Sequence, residues 1–248
     1  MEEALELTEY LPQSFAAVGE QAYLDFLWSA FQTNYEAERY EFASLAFHLL
    51  YMSFVSFSIW QIRLARPEPF RMAMVGFRSD DEGKLMDCAT PFKFYDKLKE
   101  AQIFRFLKLI GCDNQQIGEF AKFVKRRNKI AHPSGTVFFN DHVAIDAEIA
   151  EMMAEVRNIE AHMRPVILEL YSAFLKGESS DPDLRQYPEY ADEIRVNLGH
   201  ANYMSEADIS FCRSFDLSGL SGEPNFAEVE ALHAALAEAY PVDEEEAA

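Results

Sequence analysis

The chain has 248 residues, 49% of them apolar and 14% aromatic, so it can build a hydrophobic core and is not disordered over its whole length. Its formal net charge of −20 opposes the binding of nucleic acid to most of its surface. Its three cysteines are widely spaced and form no CxxC pair, which argues against a disulfide framework and a cysteine-built zinc site and fits a reducing cytoplasm.

The first elements along the chain are predicted to be helices. The first twelve residues are acidic and lack the basic-then-apolar order of a secretory signal peptide, so we expect a cytoplasmic protein. Apolar residues then recur every three or four positions through 15–31, which predicts an amphipathic helix. A second helix is predicted at about 38–64.

The second predicted helix contains an uncharged stretch, 42–62, that is long enough to cross a bilayer. Serine, histidine and glutamine side chains interrupt it, and neither flank carries a strong cluster of basic residues. A helix that is apolar all round is also typical of the centre of a soluble bundle. We therefore predict a buried core helix and no membrane association, with a membrane-attached protein as the alternative. Within this helix, His48 is predicted to be a core histidine that bonds to a neighbouring helix.

Prolines and glycines divide the next part of the chain. Pro67 and Pro69 are expected to end the core helix, and 71–90 is interpreted as a loop. Thr90 and Pro91 predict the start of a helix over about 91–110. Asp113 is predicted to cap a further helix, which the Pro-Ser-Gly segment at 133–135 ends.

A long helix is predicted from a cap at Asn140 or Asp141 to about 176, with a possible kink at Pro165 and a stop at Gly177. A polar linker and shorter helical patterns near 186–198, 205–216 and 225–239 follow, and the chain ends in an acidic tail. The sequence therefore predicts an all-α fold. It consists of a helical bundle over 1–176 and a smaller helical extension over 177–248.

Positive charge is concentrated in one window of this acidic chain. Residues 93–129 hold ten basic and four acidic residues, a net charge of +6, which leaves −26 for the rest of the chain. Within this window, Lys122, Lys125, Arg126 and Lys129 are predicted to hold a polyanion such as RNA.

The end of this window, 125–133, has the sequence KRRNKIAHP and contains the candidate catalytic residues. Histidine titrates near neutrality, so His132 suits proton transfer. Arg127 offers a planar fork for a phosphate, and Asn128 offers neutral donors and an acceptor. Arg127 and His132 are five residues apart, about 140° around a helix, so both reach one ligand only if the helix ends here or a second chain contributes.

This segment resembles the Arg-x(4–6)-His motif of HEPN domains, in which a polar residue commonly follows the arginine. The apolar stretch 42–51 also resembles the long core helix of such domains, and the likeness extends over roughly 15–176. The resemblance implies a helical, metal-independent endoribonuclease without a cofactor, whose paired motifs meet at a homodimer interface. His132 would then be the general acid and base, Arg127 would stabilise the phosphorane, and Asn128 would orient the phosphate or His132.

Two features depart from the family pattern. Some toxin members carry a tyrosine two residues after the motif histidine, which a nucleotidyltransferase antitoxin modifies, whereas this chain has Ser134. The extension over 177–248 also exceeds a minimal HEPN domain. The prediction is an RNA-cleaving toxin or phage-defence effector with a cognate antitoxin or regulator as a further partner. The alternative is a non-catalytic HEPN module that binds RNA or a partner protein.

Other enzyme classes lack support in the sequence. It contains no Walker loop, no GxGxxG and no GxSxG, the motifs of nucleotide binding and of serine hydrolases. The remaining histidines have no spacing that indicates a metal site, and His162 and Glu169 do not form the Glu-x-x-His arrangement of di-iron bundles. We therefore predict no metal.

Overall fold

The structure is a computed structural model that describes residues 1–75, 79–132, 135–139 and 141–241. These residues form an all-α fold without β-strands, as the sequence predicts. The α-helices are α1 (Glu2–Glu6), α2 (Val18–Glu36), α3 (Tyr40–Ala65), α4 (Pro67–Ala73), α5 (Ser79–Met86), α6 (Glu100–Ile103), α7 (Asn114–Ala131), α8 (His142–Lys176), α9 (Tyr190–Glu193), α10 (Glu206–Cys212) and α11 (Phe226–Ala239). Short 3-10 segments and one π-helix, Ile194–His200, connect them.

Helix α3 lies at the centre of the bundle, packed against α2, α7 and α8. It is long and apolar enough to cross a membrane, and 83% of its most apolar 18-residue window is buried inside the protein. This burial is that of a core helix. Its serines fit the apolar surroundings because Ser53, Ser56 and Ser58 donate to the carbonyl oxygens four residues earlier, which satisfies each hydroxyl within the helix.

The region after α3 is more helical than the sequence predicts. Instead of a continuous loop over 71–90, the chain forms α4 and α5, so the loop prediction is wrong for these segments. Pro67 occupies the first turn of α4, where a proline is tolerated because its missing N–H needs no partner. Arg63 of α3 donates to carbonyl oxygens of Leu85 and Met86 at the end of α5, a long-range cap that no local pattern reveals. Residues 76–78 lie outside the described residues.

The single helix predicted over 91–110 is also wrong. The chain there forms the 3-10 segment Pro91–Asp96, the short helix α6, and a second 3-10 segment, Phe104–Ile110. Buried side chains in the last two elements fall at Ile103, Phe104, Phe106 and Leu107. The ring of Phe104 packs on Tyr51 of α3 at 6.2 Å, and that of Phe106 stacks on Phe70 of α4 at 4.4 Å. Contacts with two separate helices therefore accompany the change from α6 to the 3-10 segment.

Helices α7 and α8 begin at caps that the sequence predicts. Asp113 accepts a hydrogen bond from the Gln116 backbone N–H, and Asp141 accepts one from that of Ala144. Helix α8 continues past Pro165 to Lys176. The alternative cap, Asn140, lies outside the described residues, as do Pro133 and Ser134.

The C-terminal helices pack on the bundle and share its core. The ring of Tyr203 lies 5.2 Å from that of Phe57 in α3, and its hydroxyl donates to Glu20 of α2 at 3.0 Å. Gln61 of α3 donates to the Tyr203 carbonyl at 3.1 Å and to Asp208 of α10 at 3.0 Å. Polar and apolar contacts therefore both hold the extension against the central helix.

Two carboxyl groups approach each other where α8 meets α10. Burial raises the pKa of Asp208, against hydrogen bonds from Ser205 and Gln61 that lower it. Burial, and then the charge of Asp208, raise the pKa of Glu160 from 4.5 to about 8, although Arg164 opposes the shift. The folded protein therefore favours the protonated form of Glu160.

We expect Glu160→Gln to stabilise the protein at pH 8. A folded-state pKa above the unfolded value contributes stability below about pH 4.5 that is lost as the pH rises towards 8, because the unfolded chain then releases the proton more readily. The variant cannot ionise, so at pH 8 its free energy of unfolding should exceed that of the wild type by at least about 1 kcal/mol, since each unit of pKa shift corresponds to about 1.4 kcal/mol. Urea unfolding at pH 5 and pH 8 measures this, with the exposed Glu230→Gln as control. An equal loss of stability in the wild type and in Glu160→Gln between these pH values would contradict the prediction.

Candidate active site

The candidate catalytic residues lie at the C-terminal end of α7. The helix ends at Ala131, which confirms the predicted helix end, and His132 is the C-cap residue with an extended backbone. Its backbone N–H donates to the Asn128 carbonyl at 3.1 Å. Arg127 and Asn128 are half-buried, whereas His132 is exposed. The His132 side chain forms no hydrogen bond or ion pair with a described residue.

Arg127 belongs to a polar cluster that joins three helices. It donates through Nη2 to Oε2 of Glu100, the first residue of α6. The same carboxylate oxygen lies 3.2 Å from Nε2 of His48, a residue of α3 that is only 2% exposed. We call these three residues the Glu100 cluster. The histidine that the sequence predicts to be in the core thus bonds to a neighbouring helix.

The protonation states in the Glu100 cluster follow from its burial. Burial raises the pKa of Glu100, but hydrogen bonds from His48 and Arg127 outweigh it and lower this pKa to about 2. Burial also lowers the pKa of His48, against an opposing hydrogen bond from Glu100. Glu100 is therefore an anion and His48 is neutral at pH 7, with Nε2–H donating to the carboxylate.

Two buried nitrogen atoms of this cluster have no hydrogen-bond partner among the described residues. They are Nδ1 of His48 and Nε of Arg127. Buried polar atoms are usually hydrogen-bonded, so each unpaired one lowers the stability of the folded state. One belongs to the candidate catalytic arginine, and the other belongs to the histidine that shares its carboxylate acceptor.

A cavity of about 660 Å³ opens beside the Glu100 cluster. It lies between α2, α3, the 3-10 segment Pro91–Asp96 and α7, and we call it the Arg127 cavity. Its walls include Tyr23, Leu49, Met52, Phe92, Arg127 and Asn128. The structure thus places Arg127 and Asn128 at one cavity, and His132 is not among its lining residues.

The four candidate RNA-binding residues divide into two pairs. Lys122 and Arg126 both reach Glu151 of α8, at 3.7 and 2.7 Å, and lie over the ring of Phe123. Lys125 and Lys129 are exposed and form no ion pair with a described residue. Across the whole basic window, the basic residues without an ion pair to a described residue are Lys97, Lys99, Arg105, Lys108, Lys125 and Lys129. One of these six residues, Lys99, lines the Arg127 cavity.

Comparisons with known proteins do not assign this site. The chain matches no family model, and it shows no significant similarity to a curated protein or a solved structure. Among the described residues, no three His, Cys, Asp or Glu side chains are grouped so that they could hold a metal ion. The likeness to HEPN domains rests on the segment from Arg127 to His132 and its helical frame.

The sequence reasoning missed Glu100. In the sequence it is one of four acids in a basic window, 27 positions before Arg127 and 52 after His48. No helical periodicity connects positions so far apart. The basic excess around it is the only local signal, because an acid within such a window suggests a specific cationic partner.

We expect Glu100→Ala to destabilise the fold by about 2 kcal/mol, because it leaves a half-buried guanidinium and a buried imidazole without their shared acceptor. The matched control is Glu151→Ala, which also removes a carboxylate paired with α7, but one that is 46% exposed. Glu151→Ala should lower the free energy of unfolding by less than about 1 kcal/mol. Chemical unfolding at pH 7 compares the two, and equal costs would contradict a structural role for the Glu100 cluster.

Acid unfolding gives a second measure of the same cluster. A folded-state pKa below the unfolded value contributes stability above about pH 4.5 that is lost as the pH falls towards 2. The wild type should therefore lose more stability than Glu100→Gln over this range. Thermal melts between pH 5 and pH 2.5 test the difference, and parallel curves would show that Glu100 titrates normally.

Proposed function

We propose that this protein is a metal-independent endoribonuclease of the HEPN type, a cytoplasmic toxin or phage-defence effector that cleaves RNA. One observation carries the proposal: the end of α7 presents Arg127, Asn128 and His132 together with the exposed cations Lys125 and Lys129. Proton-transfer, phosphate-binding and polyanion-attracting groups thus occur close together at one helix end of an otherwise acidic chain.

The proposed reaction is attack of a ribose 2′-oxygen on the adjacent phosphorus. His132 removes the 2′-hydroxyl proton, the bond from phosphorus to the 5′-oxygen breaks, and the resulting imidazolium of His132 gives that proton to the leaving 5′-oxygen. Arg127 stabilises the negative charge of the phosphorane, and Asn128 orients the phosphate or His132. The products are a 2′,3′-cyclic phosphate and a 5′-hydroxyl, and the chain's own residues supply every proton transfer.

We propose that the active site is completed by a second copy of the chain. Within one chain Arg127 faces the Arg127 cavity, whereas His132 lies outside it. A partner that brings its own His132 to this cavity would supply the missing general base.

Exposed apolar residues offer a surface for such a dimer. Tyr23 of α2 and Leu49 of α3 both line the Arg127 cavity and so lie on one side of the bundle. Phe26 is three residues from Tyr23 and Phe42 is seven from Leu49, so each shares the face of its neighbour. Phe26 and Phe42 are 64% and 62% exposed. We call Tyr23, Phe26, Phe42 and Leu49, which lie on the consecutive helices α2 and α3, the hairpin strip. Their exposure favours a protein partner.

A second candidate function is a non-catalytic module that binds RNA or a partner protein, including a cognate antitoxin. The ion pair between Arg127 and Glu100 favours it, because the carboxylate already neutralises the charge that would stabilise the phosphorane. Under this alternative Arg127 is structural, and the exposed lysines bind the partner.

Cleavage of total RNA by the purified protein in EDTA tests the first proposal. His132→Ala should lower the rate by at least about 100-fold, the usual contribution of a general acid or base. His142→Ala, which removes another exposed histidine at the start of α8, should cleave like the wild type. End-group analysis should find cyclic phosphates only where cleavage occurs. Equal activity of His132→Ala and the wild type would overturn the assignment, and silence of both would favour the binding module.

Substitutions that introduce negative charge into the hairpin strip test whether the protein forms the proposed dimer. The double variant Phe26→Glu and Phe42→Glu should be monomeric by light scattering, because two carboxylates cannot be buried without partners. It should also lose RNA cleavage. Leu184→Glu in the C-terminal extension, at a residue 59% exposed, is the control and should change neither property. A double variant that is monomeric and fully active would exclude a composite site.

A further inference from the structure

We propose that the Arg127 cavity is a nucleobase pocket that binds the base of the nucleotide next to the cleaved phosphate, with a preference for adenine. This inference rests on the proposed function and adds to it a substrate subsite. Four features of the cavity support it: its volume, its aromatic walls, the amide of Asn128 and its cationic edge.

The volume and walls of the cavity suit a flat heterocycle. Its 660 Å³ falls within the range of small-molecule sites. The rings of Tyr23 and Phe92 meet edge to face, with centroids 5.2 Å apart and planes at 82°. Phe92 in turn packs against Phe57 at 5.4 Å, which anchors this wall to the core. A base that stacks on one ring would thus contact the edge of the other, and aromatic stacking is how proteins commonly hold unpaired RNA bases.

Asn128 gives the cavity a group that can read a base. It is half-buried at the wall, and its amide forms no hydrogen bond with a described residue. An amide offers donors on one side and an acceptor on the other. On the edge that carries N7, adenine presents an adjacent donor, N6–H, and acceptor, N7, the pair that asparagine contacts with two hydrogen bonds, whereas guanine presents two acceptors there.

The charged edge of the cavity orients the nucleotide. Lys99 lines the cavity, is exposed, and forms no ion pair with a described residue. Arg127 lines the same cavity and is paired there with Glu100, which also lines it, so Lys99 supplies the charge that is not already in an ion pair with a described residue. A phosphate would approach these cations while its base occupies the aromatic part. This arrangement favours a nucleotide over an uncharged apolar ligand.

Binding of the four ribonucleoside 3′-monophosphates to the full chain tests the pocket, measured by isothermal titration calorimetry. Adenosine 3′-monophosphate should bind most tightly. Tyr23→Ala should weaken it about ten-fold by removal of the stacking face, whereas Tyr23→Phe should keep the affinity within about two-fold. Val18→Ala is the matched control, since it truncates an exposed apolar side chain of α2 that neither lines the cavity nor belongs to the hairpin strip. It should leave nucleotide affinity unchanged.

The outcomes separate this inference from the proposed function. Nucleotide binding that depends on Tyr23, in a protein that cleaves no RNA, supports the pocket and refutes the ribonuclease. RNA cleavage without nucleotide binding, or with binding that Tyr23→Ala leaves unchanged, overturns the pocket and leaves the ribonuclease standing. Equal affinity for all four nucleotides overturns the adenine preference. If Tyr23→Ala does not fold, as judged by circular dichroism, Tyr23→Leu tests the same loss of a flat ring with less loss of volume.

Discussion

The carboxylate of Glu100 is the interaction on which the candidate site depends. One oxygen atom accepts hydrogen bonds from His48 of α3 and Arg127 of α7, so a side chain of the four-residue helix α6 fixes two long helices relative to each other. Arg127 cannot enter the bundle without a counter-charge, because an unpaired cation in a half-buried position loses its hydration. The same ion pair sets the direction of the arginine, and with it the charged edge of the Arg127 cavity.

The pairing of Arg127 with Glu100 favours catalysis in one respect and a binding role in another. An arginine that Glu100 holds is well positioned, and well-positioned groups are what electrostatic catalysis needs. It is also neutralised, and that reduces what it can offer a phosphorane. His132, in contrast, is neither positioned nor neutralised by a described residue, because it lies exposed beyond the last turn of α7 and no described residue bonds to its side chain. A second chain resolves the tension only if it brings a base to a cavity that already holds its arginine, and the exposed hairpin strip lies beside that cavity.

The distribution of charge also favours the end of α7 as the functional site. The chain as a whole is strongly acidic, yet six cations of the basic window lack an ion pair with a described residue. Part of the acidic remainder is engaged elsewhere, as in the Glu20 carboxylate that receives Tyr203 and the protonated Glu160 beside Asp208. The described part of the C-terminal extension thereby contributes to the core through its contacts with α8, α3 and the N-terminal segments.

The sequence by itself determined the all-α class, the central position of α3, the caps of α7 and α8, and the end of α7 before Pro133, because periodicity, caps and helix breakers act over a few residues. It also determined that Arg127, Asn128 and His132 share the end of one helix. Only the tertiary structure decided that 91–110 breaks into short segments and that α4 and α5 form, because burial of Phe104 and Phe106 and the cap from Arg63 involve distant elements. It alone decided that Glu100 joins His48 to Arg127 and that a cavity opens beside them, since a contact across 27 or 52 positions leaves no local pattern in a sequence.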